Sequence, residues 1–142
     1  MKLKLFKCEL CGNMVAVVED SGVPMICCGR DMTEVKAGTV DASKEKHVPV
    51  YDLGPDTIRI RVGSEPHPMI KEHYIQWIGV ETNKGFHSKQ LKEGEEAEAF
   101  FRFSPGEKPE TIYAYCNLHG LWMTDCMETC GSCTKDSCSV TV

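Results

Sequence analysis

Apolar and polar residues alternate in several short stretches along the middle of the chain. In TIRIRV, residues 57–62, aliphatic side chains occupy every second position and arginines lie between them. EAEAFFRF (96–103) and TIYAYC (111–116) alternate in the same way, whereas YIQWIGVE (74–81) is apolar on both alternations. A period of two is typical of a β-strand with one buried face, and an unbroken apolar run is typical of a strand buried on both faces.

Proline and glycine clusters separate these stretches, in LGPD, SEPHP and SPGEKP. Short strands divided by such turn signals predict an antiparallel β-sandwich over residues 37–123. Residues 1–36 precede it as a small cysteine-rich knob, which is too short to be stabilised by apolar burial alone. Residues 124–142 follow as a cysteine-rich tail. No segment carries paired helix start and stop signals, so the predicted fold is mostly β.

Composition and charge exclude several classes of partner. The 142 residues include 16 lysines and arginines against 21 aspartates and glutamates, for a net charge of −5. No basic stretch follows a groove-like pattern, so nucleic acid is not expected as a partner. No apolar run approaches the roughly 20 residues that span a bilayer, so no membrane association is expected. The start, MKLKLFKCEL, lacks the apolar core of a signal peptide, which predicts a cytoplasmic protein.

The nine cysteines point to metal chemistry. Disulfides are disfavoured in the cytoplasm and an odd number cannot pair completely, so ligation of metal is the preferred interpretation. The cysteines form three groups: Cys8, Cys11, Cys27 and Cys28 in the knob, Cys116 beside His119, and Cys126, Cys130, Cys133 and Cys138 in the tail.

The four knob cysteines can surround one metal ion tetrahedrally. The CELCG motif makes a tight turn whose amides point at the sulfurs, which stabilises thiolates. The adjacent pair Cys27 and Cys28 is less strained as two ligands of one ion than as a disulfide. These residues alone leave two alternatives open, an Fe(Cys)4 electron-transfer site and a zinc site that only keeps the knob folded.

Four of the five histidines lie at strand ends or in turns bounded by proline, and they accompany a cysteine outside both thiol groups. A single histidine in a β protein is more often a surface or core residue than a ligand, but proline preorganises the backbone beside two of these. The four are His47, His67, His73 and His119. The fifth, His87 in KGFHSKQ, lies among charged residues and is expected to be solvated.

Six motifs occur in a fixed order between about residue 5 and residue 123: CELCG, CC, EKHVPV, PHPM, HYIQWI and YCNLHG. In this order they resemble desulfoferrodoxin, the two-iron class of superoxide reductase. The resemblance implies a desulforedoxin- or rubredoxin-like metal knob followed by an immunoglobulin-like antiparallel β-sandwich, usually in a homodimer. It also implies the metabolism of an anaerobe and a role in detoxification under oxidative stress.

The resemblance further implies two non-haem iron ions per chain. The catalytic iron is then bound by His47, His67, His73, Cys116 and His119, and the second iron by Cys8, Cys11, Cys27 and Cys28. Five protein ligands leave a sixth position open for superoxide, which takes one electron supplied by rubredoxin or a similar donor and leaves as hydrogen peroxide. The alternative is a non-catalytic electron-transfer or metal-binding protein, which gains nothing from an open position.

Lys46 and Glu45 precede the first histidine in the EKH motif. Lys46 can point its ammonium toward the open position, attract the superoxide anion to a net negative protein and orient a proton-donating water. Glu45 is the family's candidate for closing the sixth position after the product leaves. Without the resemblance, both residues are an ordinary solvated pair of charges.

The tail departs from the family, whose members usually end soon after NLHG. Its cysteines follow the spacing C-x3-C-x2-C-x4-C, within a segment that has too few apolar residues to form a core. One interpretation is a mobile segment with reactive thiols. The other is a third metal site at Cys126, Cys130, Cys133 and Cys138, holding a [4Fe–4S] cluster or zinc.

Overall fold

The computed structural model describes residues 3–38 and 44–126, apart from the side chains of residues 44 and 45. The chain divides into two compact units, Met1–Ala37 and Gly38–Val142. Among the described residues, no helix has the length and apolar character needed to cross a membrane.

The first unit consists of very short strands. They are β1 (Leu5–Lys7), β2 (Met14–Ala16), β3 (Ile26–Cys27), β4 (Arg30–Asp31) and β5 (Thr33–Val35). β2, β1 and β5 form an antiparallel sheet in that order, and β3 pairs with β4. Leu5 and Cys8 are its only buried apolar side chains among the residues described. So small a core gives the unit little stability of its own.

The second unit is an antiparallel β-sandwich, as predicted. Its elements are a single helical turn, α1 (Lys44–His47), and the strands β6 (Pro49–Leu53), β7 (Thr57–Val62), β8 (Ile75–Thr82), β9 (Gly85–Gln90), β10 (Glu98–Arg102), β11 (Pro109–Cys116) and β12 (Gly120–Asp125). One sheet has the order β10-β7-β6 and the other β12-β11-β8-β9. All pairings are antiparallel.

The core lies between the two sheets. Ile58 and Ile60 of β7 face Ile78 and Val80 of β8 and Ile112 of β11, and all five side chains are completely buried. The alternation in residues 57–62 therefore arises because one face of β7 packs on this core while the arginines lie on the outer face. β8 is central in its sheet, which explains why almost every one of its residues is partly or fully buried.

His87, expected to be solvated, is only partly exposed, with 34% of its side chain accessible. His87 lies in the edge strand β9, and its Nε2 is 2.8 Å from Oε2 of Glu107. Glu107 also accepts hydrogen bonds from the Thr82 hydroxyl at 2.6 Å and from the Ser104 amide at 3.0 Å. These bonds, that of Thr82 first, lower the pKa of Glu107 from 4.5 to about 2. Edge strands are often polar, and β9 lacks the apolar pattern that predicts β7, β8, β10 and β11.

The last strand extends further than expected. β12 pairs with β11 as far as Asp125 opposite Thr111, two residues past the predicted end of the sandwich. Cys126 follows it, is 8% exposed, and its amide donates to the Glu110 carbonyl at 2.8 Å. Its side chain lies in the core cluster rather than in a solvent-exposed tail. The other tail cysteines, Cys130, Cys133 and Cys138, lie outside the described residues.

Candidate metal centres

Four imidazoles form a closed ring in the second unit. Neighbouring rings are nearly perpendicular, with centroids 4.6 Å apart for His47 and His67, 4.7 Å for His67 and His73, 5.0 Å for His73 and His119, and 4.7 Å for His119 and His47. His47 and His73, on opposite sides of the ring, are 6.1 Å apart and nearly parallel. This arrangement brings together all four histidines that the sequence predicted as ligands.

The ring lies where several strands begin or end. His47 ends α1 just before β6, and His67 lies in the connection that follows β7. His73 lies two residues before β8, Cys116 is the last residue of β11, and His119 directly precedes β12. Because β8 and β12 both pair antiparallel with β11, their starts lie beside the end of β11. The sheet therefore brings residues that are distant in sequence to one place.

The distances between donor atoms fit a metal centre. Nδ1 of His119 is 2.9 Å from Nε2 of His47. Two adjacent nitrogens bound at about 2.1 Å to one ion at a right angle are about 3.0 Å apart. Sγ of Cys116 is 3.8 Å from Nδ1 of His119, and donor atoms of Cys116, His47, His67 and His73 all lie within 4.8 Å of one another.

The protonation of His67 suits ligation through Nε2. Its Nδ1 is 2.7 Å from the Pro68 carbonyl, an acceptor, so Nδ1 carries the proton and Nε2 keeps its lone pair. Nε2 of His67 and Nε2 of His73 are buried and have no hydrogen-bond partner in the described part of the chain. Burial lowers the pKa of His67 to about 4 and also lowers that of His73. Neutral imidazoles whose Nε2 lone pairs have no hydrogen-bond partner are well suited to bind a metal ion.

Cys116 supplies the sulfur of this centre and is fully buried. Burial raises the pKa of its thiol, while the backbone amides of His119 and Leu118 act in the opposite direction by donating hydrogen bonds to the sulfur. A cation among the imidazoles would stabilise the thiolate that burial disfavours. The residues present therefore fit a mixed nitrogen and sulfur site for a metal such as iron.

Trp122 supports two of the predicted ligands, a role that the sequence pattern alone does not indicate. Its Nε1 donates a hydrogen bond to the His119 carbonyl at 3.1 Å. Its ring is stacked on the imidazole of His47, with centroids 5.1 Å apart and 29° between the planes. The proximity of a tryptophan to NLHG is the available signal, but the register of β12, on which these contacts depend, cannot be predicted from the sequence.

The knob cysteines form a second cluster of donor atoms. Sγ of Cys11 is 3.6 Å from Sγ of Cys27, which is 3.9 Å from Sγ of Cys28. The four sulfurs, including that of the buried Cys8, lie within 4.8 Å of one another. Four sulfurs bound tetrahedrally at about 2.3 Å would be about 3.8 Å apart. The cluster therefore fits a single tetrahedral metal ion.

Two turns shape this cluster. Gly12, with φ of 84°, follows Cys11, and Cys28 itself has φ of 54°, in the left-handed region that favours glycine. The Cys11 amide lies 3.5 Å from Sγ of Cys8 and lowers the pKa of Cys8 to about 6. The thiols around Cys28, that of Cys11 first, raise the pKa of Cys28 to about 12. Four thiolates at this spacing need a cation to coexist.

Lys46 is exposed and directly precedes His47 of the imidazole ring in sequence. Its positive charge contributes to the lowered pKa of His73, after burial and the charges of His119 and His47. Lys46 therefore lies within electrostatic reach of the ring. The side chain of Glu45 is outside the part of the chain that the structure describes.

Comparison with known proteins follows the division into two units. The family model Desulfoferrodoxin matches residues 39–125, and Desulfoferrodoxin, N-terminal domain, matches residues 1–35. The chain belongs to the desulfoferrodoxin family. The resemblance found in the six sequence motifs is thereby confirmed. Neither match extends past residue 125, so the tail is not covered.

Individual relatives span nearly the whole family region. A desulfoferrodoxin from Syntrophotalea carbinolica is 44% identical over 124 residues, which are 87% of this chain and 97% of that one. A superoxide reductase from Thermococcus kodakarensis is 36% identical over 106 residues, covering 62% of this chain and 90% of that one. The crystal structure of the superoxide reductase from Treponema pallidum superposes with a TM-score of 0.74 at 34% identity, covering 87% and 98% of the two chains.

Proposed function

We propose that this desulfoferrodoxin is a superoxide reductase, which adds one electron and two protons to superoxide and releases hydrogen peroxide. The observation that carries this proposal is the closed ring of four imidazoles beside a buried thiol. Five donors leave one position of an octahedral ion for a small anion. The names of the relatives from Thermococcus kodakarensis and Treponema pallidum support the same reaction.

The residues of the ring have separate tasks. Iron, when bound, supplies the electron and the open position. His67 and His73 would hold it as neutral ligands, because burial disfavours the second proton that would make each imidazole cationic. The thiolate of Cys116 would donate electron density to the iron, as the thiolate ligand does in thiolate-ligated haem enzymes. Solvent provides the protons, and the exposed Lys46, next to His47 in sequence, is proposed to orient a proton-donating water.

A non-catalytic electron carrier is the alternative. The experiment that separates the two is rapid mixing of the reduced protein with superoxide while the iron chromophore and the peroxide are measured. A reductase gives one hydrogen peroxide for each iron oxidised, at a rate proportional to superoxide concentration. A carrier without an open position gives the same stoichiometry but reacts slowly, and a slow reaction would refute the proposed function.

Lys46 is proposed to attract superoxide. Replacing it in Lys46→Ala should slow the encounter with superoxide by roughly tenfold, because a local positive charge raises the association rate of an anion. The deficit should shrink as salt is added, since screening acts over about 8–10 Å. Stopped-flow rates over a range of ionic strength measure both effects.

The matched control is Lys89→Ala, which removes the same charge from the exposed side of the edge strand β9. It should leave the rate and the iron content unchanged. Equal slowing in the two variants would mean that overall charge, not the position of Lys46, governs the encounter.

Glu45 is proposed to close the sixth position after the product leaves. Glu45→Ala should then alter the spectrum of the oxidised iron without slowing its formation.

The cellular setting is also proposed. The knob cysteines hold a second iron, and electrons come from rubredoxin or a similar small donor in the cytoplasm of an anaerobe, where the protein removes superoxide under oxidative stress. A homodimer is the proposed assembly, by resemblance to the family. Oxidation of reduced rubredoxin by the protein in the presence of superoxide tests the donor, and light scattering on the purified protein tests the assembly.

The tail is proposed to hold a third metal site, a [4Fe–4S] cluster or zinc, with Cys126, Cys130, Cys133 and Cys138 as candidate ligands. The test is anaerobic reconstitution of the full chain and of a chain cut after Cys126, which keeps β12 intact. A cluster gives about four acid-labile sulfides per chain, lost on truncation. Zinc gives extra metal without sulfide, and equal metal in both chains would leave the tail as a thiol segment. Cys126→Ala shows whether this core residue is among the ligands.

A further inference from the structure

Asn117 joins the two segments that carry Cys116 and His73. Its side-chain Oδ1 accepts a hydrogen bond from the Tyr74 amide at 2.9 Å, and its Nδ2 donates to the Glu72 carbonyl at 3.1 Å. Its own amide donates to the Tyr74 carbonyl at 3.2 Å. One side chain, adjacent in sequence to Cys116, thus bonds the residue on each side of His73.

These bonds lie beyond the point where regular pairing of β11 with β8 fixes the distance between the two chain segments. β11 and β8 pair regularly as far as Tyr115 opposite Trp77, but the register then shifts and Cys116 lies opposite Ile75. Beyond that irregularity the strand ladder does not set the distance between the two chain segments. The side-chain carbonyl of Asn117 takes the place that a backbone acceptor would have in a regular antiparallel pair.

The opposite end of the same ladder is closed in the same way. Asn83 directly follows β8 as Asn117 directly follows β11, and Lys108 precedes β11 as Tyr74 precedes β8. Oδ1 of Asn83 accepts from the Lys108 amide at 2.8 Å, its Nδ2 donates to the Gly106 carbonyl at 3.1 Å, and its amide donates to the Lys108 carbonyl at 3.1 Å. The register shifts here too, between Pro109 and Thr111.

The two asparagines therefore make the same bonds to the same pair of strands, but only Asn117 lies beside the imidazole ring. We propose that Asn117 is a positioning residue for the metal centre, which fixes the thiolate of Cys116 relative to the imidazole of His73. This inference rests on the proposed function in so far as the five donors bind iron. Groups that orient ligands from outside the coordination sphere change metal affinity by roughly 10–100-fold when removed.

The experiment compares Asn117→Ala with Asn83→Ala in the iron-loaded full chain. Each variant loses the same two side-chain hydrogen bonds, so the thermal unfolding temperatures should fall by similar amounts. Only Asn117→Ala should release its histidine-bound iron to a chelator at least about tenfold faster. Only this variant should shift the thiolate-to-iron charge-transfer band and the midpoint potential, because both depend on the placement of the sulfur.

The inference would be overturned if Asn117→Ala released iron at the wild-type rate and kept the wild-type charge-transfer band. It would also be overturned if Asn83→Ala changed both properties equally. If Asn117→Ala does not fold, Asn117→Asp keeps the acceptor for the Tyr74 amide, removes the donor to Glu72 and adds a negative charge, for which Asn83→Asp is the matched control. Faster iron release from that variant supports the inference, and wild-type behaviour overturns it. A wild-type protein that binds iron but does not reduce superoxide would refute the proposed function while leaving this comparison intact.

Discussion

Replacing Cys116 with serine is expected to abolish superoxide reduction. A serine hydroxyl remains protonated at neutral pH, so the buried position loses both the anionic ligand and its electron donation. The four imidazoles remain, and they can retain some metal without the thiolate. The measurement is rapid mixing of the reduced variant with superoxide, together with iron analysis and the absorption spectrum, from which the thiolate-to-iron band should be absent.

Ala114→Ser is the matched control for this experiment. Ala114 lies two residues before Cys116 on the same face of β11 and is also completely buried. Serine at that position adds a hydroxyl to the same core without touching a donor atom, and it therefore measures the effect of the polar group on folding. Wild-type rates in Cys116→Ser would mean that the sulfur is not a ligand. Loss of activity in both variants would assign the effect to the core.

The strands that could be predicted from sequence are those whose burial differs between their two faces or is complete on both. Residues 57–62 alternate because β7 has one face on the core, and β8 is apolar throughout because it is central. The edge strand β9 pairs on one side only and carries polar residues, so nothing in its pattern distinguished it from a loop. The sequence predicts Cys126 in the tail, because the polar residues before it conceal the continuation of β12.

The donor atoms of the metal centre could be predicted only through the family resemblance, because a single histidine carries no signal of ligation. What brings His47 and His119, 72 residues apart in sequence, within 2.9 Å is the packing of the two sheets, because His47 lies just before β6 of one sheet and His119 just before β12 of the other. The contacts that Trp122 and Asn117 make with the ligand segments depend on strand register. A shift of one residue would turn the side chains to the opposite face of the sheet. For this reason they became visible only in the structure.

Loss of one knob cysteine should unfold the first unit and leave the second intact. Cys28→Ser removes one of four sulfurs from a unit whose strands have only two or three residues and whose described core includes Leu5 and Cys8. With so little buried area, metal binding supplies most of the folding free energy, and a three-sulfur site binds metal much less tightly. Hydrogen exchange should rise to unprotected rates in β1, β2 and β5.

Val18→Ser is the control within the same unit, because that side chain is 85% exposed and its replacement should change neither metal content nor exchange. In Cys28→Ser the sandwich has its own core and its own donors, so exchange in β8 and β11 should stay slow. The histidine-bound iron and the rate with superoxide should also match those of wild type. Simultaneous loss of both irons would show that the two units do not fold independently. Retention of exchange protection in β1 after the knob has lost its metal would show that something other than the four sulfurs stabilises the knob.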